Sequence, residues 1–229
     1  MIWFSSDHHF NHKRILEHCA DTRPYDTIEE MNSTYIDNWN SVVKSSDTVY
    51  YLGDFVMGGV EEAVAFATNL NGRIYFIEGN HDSRWYGKIK NFEYLPPIYE
   101  LKHNKQLYVL SHYPLRAWNK SFHGSYSVFG HEHGKMPPHG LSFDIGVDCW
   151  DGYPVSIEEV NERMESINMR KMIYSFLFGF LFLVSCSATP YWKFKTLQGD
   201  SVFYYTSEWR CFYEPSGVSI WVECYKKVS

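Results

Sequence analysis

Arg73-Ile74-Tyr75-Phe76-Ile77-Glu78-Gly79-Asn80-His81-Asp82 is the stretch that decides the fold. Its first five residues are mostly β-branched and aromatic, with the length and composition of a buried strand. The run stops at Glu78-Gly79 and passes directly into an amide, an imidazole and a carboxylate. In open α/β sheets, ligands gather beyond the carboxyl ends of the strands, so a strand that ends this way presents its polar tip to a site. The same arrangement recurs along the chain. Ile2–Ser6 precedes Asp7 and His9, Thr48–Leu52 precedes Gly53-Asp54, and Leu107–Leu110 precedes Ser111-His112. Tyr126–Phe129 then precedes Gly130-His131-Glu132-His133.

Helical patterns lie between these strands. Lys13–Cys19 reads as a short helix, and Thr27 caps a longer one, with Glu30 three residues on. Met31, Tyr35, Ile36, Trp39 and Val43 repeat at helical spacing along it. Val60–Leu70 reads as a helix with Val64 and Ala67 inward, followed by the turn Asn71-Gly72. Phe143–Val147 reads as a further strand and Ile157–Met164 as a closing helix. Strands alternating with helices imply an α/β layered fold in which five strand ends converge on one site.

The converging residues are Asp7, His9, Asp54, Asn80, His112, His131 and His133, with His81 beside them. Four imidazoles, two carboxylates and one amide oxygen are too many ligands for one ordinary ion. They suit two ions sharing a carboxylate, and such pairs act on phosphoryl groups. The composition excludes other classes. The chain of 229 residues is 45% apolar, too rich for disorder, and its net charge of −6 leaves no dominant basic surface for nucleic acid. All eleven His lie at or before His139.

The series Asp7-x-His9, Gly53-Asp54, Gly79-Asn80-His81-Asp82, His112 and Gly130-His131-Glu132-His133 resembles the calcineurin-like metallophosphoesterases over about residues 1–165. Asp7-His8-His9-Phe10 with His12, Arg23-Pro24, Trp39-Asn40, His112-Tyr113-Pro114 and Gly146-Val147-Asp148 resemble the short bacterial and phage members. The resemblance implies a two-layered β-sandwich flanked by helices. It also implies a first metal held by Asp7, His9 and His133, a second held by Asn80, His112 and His131, and Asp54 bridging them. A hydroxide bridging the ions would attack phosphorus, with His81 protonating the leaving oxygen and Asp82 orienting His81. Mn, Fe and Zn all suit the mixed N/O set, and Mn is favoured. His12, Arg116 and Arg23 are candidate substrate contacts. The expected substrate is a small phosphate ester, diester or monoester, with nucleic acid entering only as substrate. A catalytically idle binding scaffold of the same fold is the competing class.

Composition changes near residue 168. Residues 1–168 carry 14 Lys and Arg against 23 Asp and Glu, whereas 169–229 carry 7 against 4. The expected division is 1–168 metallophosphoesterase domain, 169–186 apolar segment and 187–229 small aromatic-rich β tail. Met169-Arg170-Lys171, the apolar run Met172–Val184 and Leu183-Val184-Ser185-Cys186 have the parts of a lipoprotein signal peptide, with Cys186 as the lipidation site. A short membrane span, a buried core helix or two joined reading frames all fit this segment. The expected placement is cytoplasmic for 1–168 and membrane-associated or exported for 169–229, with membrane contact only through 169–186. Cys19 and Cys149 read as free thiols, and Cys211 and Cys224 are left as one pair. Strands are expected at Tyr191–Lys195, Val202–Thr206 and Gly217–Tyr225.

Overall fold

Parallel pairing of the first strands sets the frame in the computed structural model, which describes residues 1–169 and, beyond them, strand residues 204–205, 209–216 and 219–226. β1 (Ile2–Ser5), β2 (Thr48–Tyr51), β3 (Arg73–Phe76) and β4 (Phe92–Tyr94) run parallel in that spatial order. A two-residue antiparallel strand, Val155–Ser156, covers the free edge of β1. The second sheet holds β5 (Ile98–His103), β6 (Gln106–Ser111), β7 (Tyr126–Phe129) and β8 (Ser142–Asp144). Its first pair is antiparallel and the rest are parallel. With Val155–Ser156 as β9, the first sheet has five strands and the second four.

Side chains alternate across the first sheet as the pleat requires. Trp3, Val49, Tyr51, Ile74 and Phe76 face one core, shared with Met31, Tyr35 and Trp39 of α2 (Ile28–Val42) and Ala63 and Ala67 of α3 (Val60–Thr68). Phe4, Tyr50, Leu52 and Ile77 face the other core, against Leu101, Tyr108, Leu110, Val128 and Phe143 of the second sheet. The result is a mixed α/β sandwich with helices on the outer face of the five-stranded sheet. A last helix, α4 (157–169), adds Ile157, Val160 and Met164 to the core between the sheets. Each such buried side chain contributes roughly 1.5–3 kcal/mol of transfer free energy.

Local chemistry sets the helix ends. Thr27 Oγ1 accepts from the Glu30 N–H at 3.1 Å, while the Glu30 carboxylate accepts from the Asp26 N–H rather than from Thr27. Some sequence expectations are corrected. The helix expected at Lys13–Cys19 is a single turn, α1 (Ile15–His18), in which only Ile15 is buried. Val64 is 43% exposed, and Ala63 takes the inward place one residue earlier. The strand expected at Phe143–Val147 ends at Asp144, where the Asp144 carboxylate accepts from the Gly146 N–H and turns the chain.

Contacts divide the chain into Met1–Tyr174 and Ser175–Ser229. In the second unit β10 (Tyr204–Tyr205), β11 (Trp209–Ser216) and β12 (Ser219–Lys226) form an antiparallel sheet whose register sets Cys211 opposite Cys224. The apolar segment 169–186 beyond Met169, Cys186 and the strand expected at Tyr191–Lys195 lie outside the described residues. No helix among the described residues is long and apolar enough to cross a membrane.

Candidate active site

Strand ends deliver the polar residues. After β1 the chain is stitched to the loop after β2, with Asp7 N–H donating to Gly53 O, His9 N–H to Asp54 O and Phe10 N–H to Phe55 O. Asp7, His9, Asp54, His131 and His133 all adopt positive φ, between 49° and 74°. Non-glycine residues occupy that region rarely, and a cluster of them marks a site held by its surroundings. Gly53, at φ 93°, lets three strand ends meet. A Cβ there would stand 2.5 Å from Gly79 N and 2.8 Å from His112 Nδ1.

Four overlapping groups of donors result among the described residues, one joining His81 to His9 and Asp54 and one joining Cys19 and Asp148 to His133, and the other two hold the expected ligands. Asp7, His9 and His133 form one, and Asp54, His112 and His131 form the other. Asp54 faces both, with Oδ2 3.5 Å from His9 Nε2 and 3.6 Å from His112 Nε2. Asn80 Oδ1 lies 2.9 Å from His112 Nε2. His81 stands at the open side, its ring centroid 5.1 Å from that of His9 and its N–H donating to Asp54 Oδ1. His12 is beside it, with ring centroids 5.7 Å apart and a buried Nδ1 that lacks a partner.

The electrostatics fit cations. Both ring nitrogens of His9 are buried without a hydrogen bond, a costly state for polar atoms that have no ligand. Burial holds His9 well below its ordinary pKa, helped by the nearby Arg23 and imidazole charges, so both lone-pair chemistry and space are available. Burial also lowers His112, whose Nδ1 donates to the Leu52 carbonyl at 2.7 Å and leaves Nε2 as the lone pair. That lone pair, Asn80 Oδ1 and Asp54 Oδ2 face one another as acceptors. Burial raises the Asp7 carboxyl well above the carboxylate range, and the Asp144 and Asp54 charges add to this against the pull of His133. Burial alone would lower His133, but its bonds to Asp148 and Cys19 and the Asp7 charge push it up to about 10. Buried carboxylates in mutual repulsion and imidazoles without donors are what divalent cations satisfy, with metal–ligand distances near 2.0–2.2 Å.

Other expected site residues have different surroundings. The expectation that Asp82 orients the His81 ring gives way. Asp82 Oδ2 accepts from the Asp54 and Gly79 N–H groups at 2.8 Å and Oδ1 from the Phe55 N–H at 3.0 Å, so it braces the backbone beneath the site. Burial, together with the Asp54 charge, raises it to about 7 against those three N–H bonds. Arg23 is not a substrate contact. It is 1% exposed and its guanidinium is bonded within the protein. Arg116 is exposed on the loop after β6, with no hydrogen bond among the described residues. His8 faces away from the site, bonded through Nδ1 to Tyr51 Oη and packed on Phe10. Sequence reasoning gave no role to Tyr113 or Asp148. Tyr113 is half exposed, and its ring packs edge-on to His131 at 4.6 Å.

The chain matches the calcineurin-like phosphoesterase family over residues 1–159. An uncharacterized protein of Methanocaldococcus jannaschii is 34% identical over 173 residues, covering 72% of this chain and 91% of that protein. The gene 66 protein of Mycobacterium phage L5 is 28% identical over 207 residues, covering 76% of this chain and 98% of its own. A protein of unknown function from Aquifex aeolicus has the same fold, with a TM-score of 0.58 and 23% identity over 71% of this chain and 98% of its own. This chain belongs to the calcineurin-like phosphoesterase family, and its class is that of hydrolases acting on phosphate esters.

Proposed function

We propose that the protein hydrolyses phosphodiesters or small nucleotide-like phosphate esters at a two-metal centre. The supporting observation is the pair of donor groups that share Asp54. Asp7, His9 and His133 would hold one ion, Asn80, His112 and His131 the other, and Asp54 both. Bound there, two divalent ions, Mn favoured, supply Lewis acidity toward phosphoryl oxygens and make water a nucleophile near neutral pH.

The chain's own groups do the rest. His81, at the open side and held at its backbone N–H by Asp54, gives a proton from its ring to the leaving ester oxygen as the P–O bond breaks and the bond to water's oxygen forms. His12, its ring beside that of His81, would bind a further phosphoryl oxygen. Arg116, on the exposed loop after β6, is a second-rank contact for an anionic substrate. Loops 113–125 and 134–141 set the choice of ester.

The test uses full-length protein stripped of metal and resupplied with Mn, assayed on an aryl phosphodiester beside an aryl phosphomonoester. Mn-dependent turnover that is faster on the diester is expected. The Asp54→Asn variant should lose more than the roughly 100-fold that the loss of an outer hydrogen-bond partner costs. No turnover with two ions verified as bound would overturn the reading in favour of a binding scaffold.

A further inference from the structure

Arg23 and Asp148 stand 125 residues apart in sequence and meet beneath the site. Arg23 Nε donates to Asp148 Oδ1 at 2.9 Å and Nη2 to Oδ2 at 2.6 Å, a two-pronged pair with both side chains fully enclosed. Asp148 Oδ2 also accepts from His133 Nδ1 at 2.8 Å, and Thr22 Oγ1 donates to Oδ1. The guanidinium reaches the other way as well. Nη2 donates to the Asp7 carbonyl at 2.6 Å and Nη1 to the His8 carbonyl at 2.9 Å. These are the peptide groups of the left-handed turn that carries Asp7 and His9.

We infer that Arg23 and Asp148 act as a clasp that positions Asp7, His9 and His133 together as one cation site. The inference rests on the two-metal reading above and concerns only the first of its two sites. The carboxylate holds one His133 proton on Nδ1, so the proton an ion would displace is the one on Nε2, and Nε2 supplies the lone pair. The guanidinium holds the strained backbone of the Asp7–His9 turn against the same carboxylate, so the three ligands are set by one buried ion pair. Neither residue touches substrate, and both are positioning residues. Asp148→Asn keeps the shape but removes the charge, and in either orientation its N–H meets a donor, His133 Nδ1 and Arg23 Nη2 on one side or Arg23 Nε on the other. Arg23→Lys keeps the charge and loses the fork.

The experiment titrates metal-free full-length protein with Mn2+ and reads free ion by electron paramagnetic resonance, with thermal melting of the metal-free forms alongside. Wild type should take up two ions. In Asp148→Asn and in Arg23→Lys, one site should weaken about 10–100-fold, with the other unchanged. That site should be the one lost in His133→Ala, and adding Asp148→Asn to His133→Ala should cost nothing further. Wild-type affinity at both sites in both variants overturns the clasp. So does equal weakening of both sites with a lower melting temperature, which is the mark of a merely structural pair. If Asp148→Asn does not fold, the Arg23→Lys titration decides alone. Failure of wild type to bind two ions overturns the underlying reading instead.

Discussion

His81 stands at the edge of the site with its backbone N–H bonded to Asp54 Oδ1 and no hydrogen bond to its ring among the described residues. A histidine left open at the edge of a phosphoryl site is suited to proton transfer. His81→Ala should therefore keep both ions and lose about 10²–10⁴ in kcat on esters with poor leaving groups, and far less on activated aryl esters. A Brønsted series of leaving groups checks this, and a flat loss across the series would remove the general-acid role. At this scale the convergence of the seven candidate donors was legible in sequence, because each follows an apolar run whose strand character fixes where its end lies. Arg23 and Asp82 were misread for a common reason. A charged residue near ligands looks alike whether it meets substrate or backbone, and only burial separates the two cases.

Strand and helix positions follow from how much of each element is buried. β1, β2, β3 and β7 have three buried residues or two of four, and their apolar runs were plain. β5 (Ile98–His103) buries only Leu101 and has no apolar run, so no element was expected there, although it pairs with β6 over its whole length. Backbone hydrogen bonds make such an edge strand, and they leave little trace in side-chain pattern. The junction of β1 and β2 depends on Asp47. Its carboxylate accepts from the terminal ammonium at 2.8 Å, the Lys44 N–H at 2.9 Å and Trp3 Nε1 at 3.1 Å. The ammonium bond first, then the Lys44 N–H, hold Asp47 down at about 2. A lowered carboxyl stabilises the fold above its unfolded pKa of about 3.9 and loses that contribution as pH falls toward 2. Asp47→Asn should cost on the order of 1–2 kcal/mol at pH 7. Urea melts should show the gap from wild type closing between about pH 4 and pH 2, where Asp47 takes up its proton in the wild type.

Across the whole chain, the family match ends at residue 159, well inside the first unit, Met1–Tyr174. Both donor groups and both hydrophobic cores lie in that unit. Residues 1–174 alone should fold, and Mn at 100 times its Kd should raise their unfolding free energy by about 2.7 kcal/mol per site. Calorimetry with and without chelator measures both. A fragment that does not melt cooperatively would make the second unit part of the fold.

Asp7 accepts from the His131 N–H across 124 residues of chain, and His133 follows two residues later. Synthesis runs at about 5–20 residues per second, so Asp7 waits roughly 6–25 seconds on the ribosome before its last partner exists. No nascent chain shorter than residue 131 holds either complete group of expected ligands, and none shorter than residue 133 holds both. The two-ion site proposed above can therefore be filled only once β1 to β7 have all been synthesised, so the order of the chain puts the cation late among the partners of Asp7.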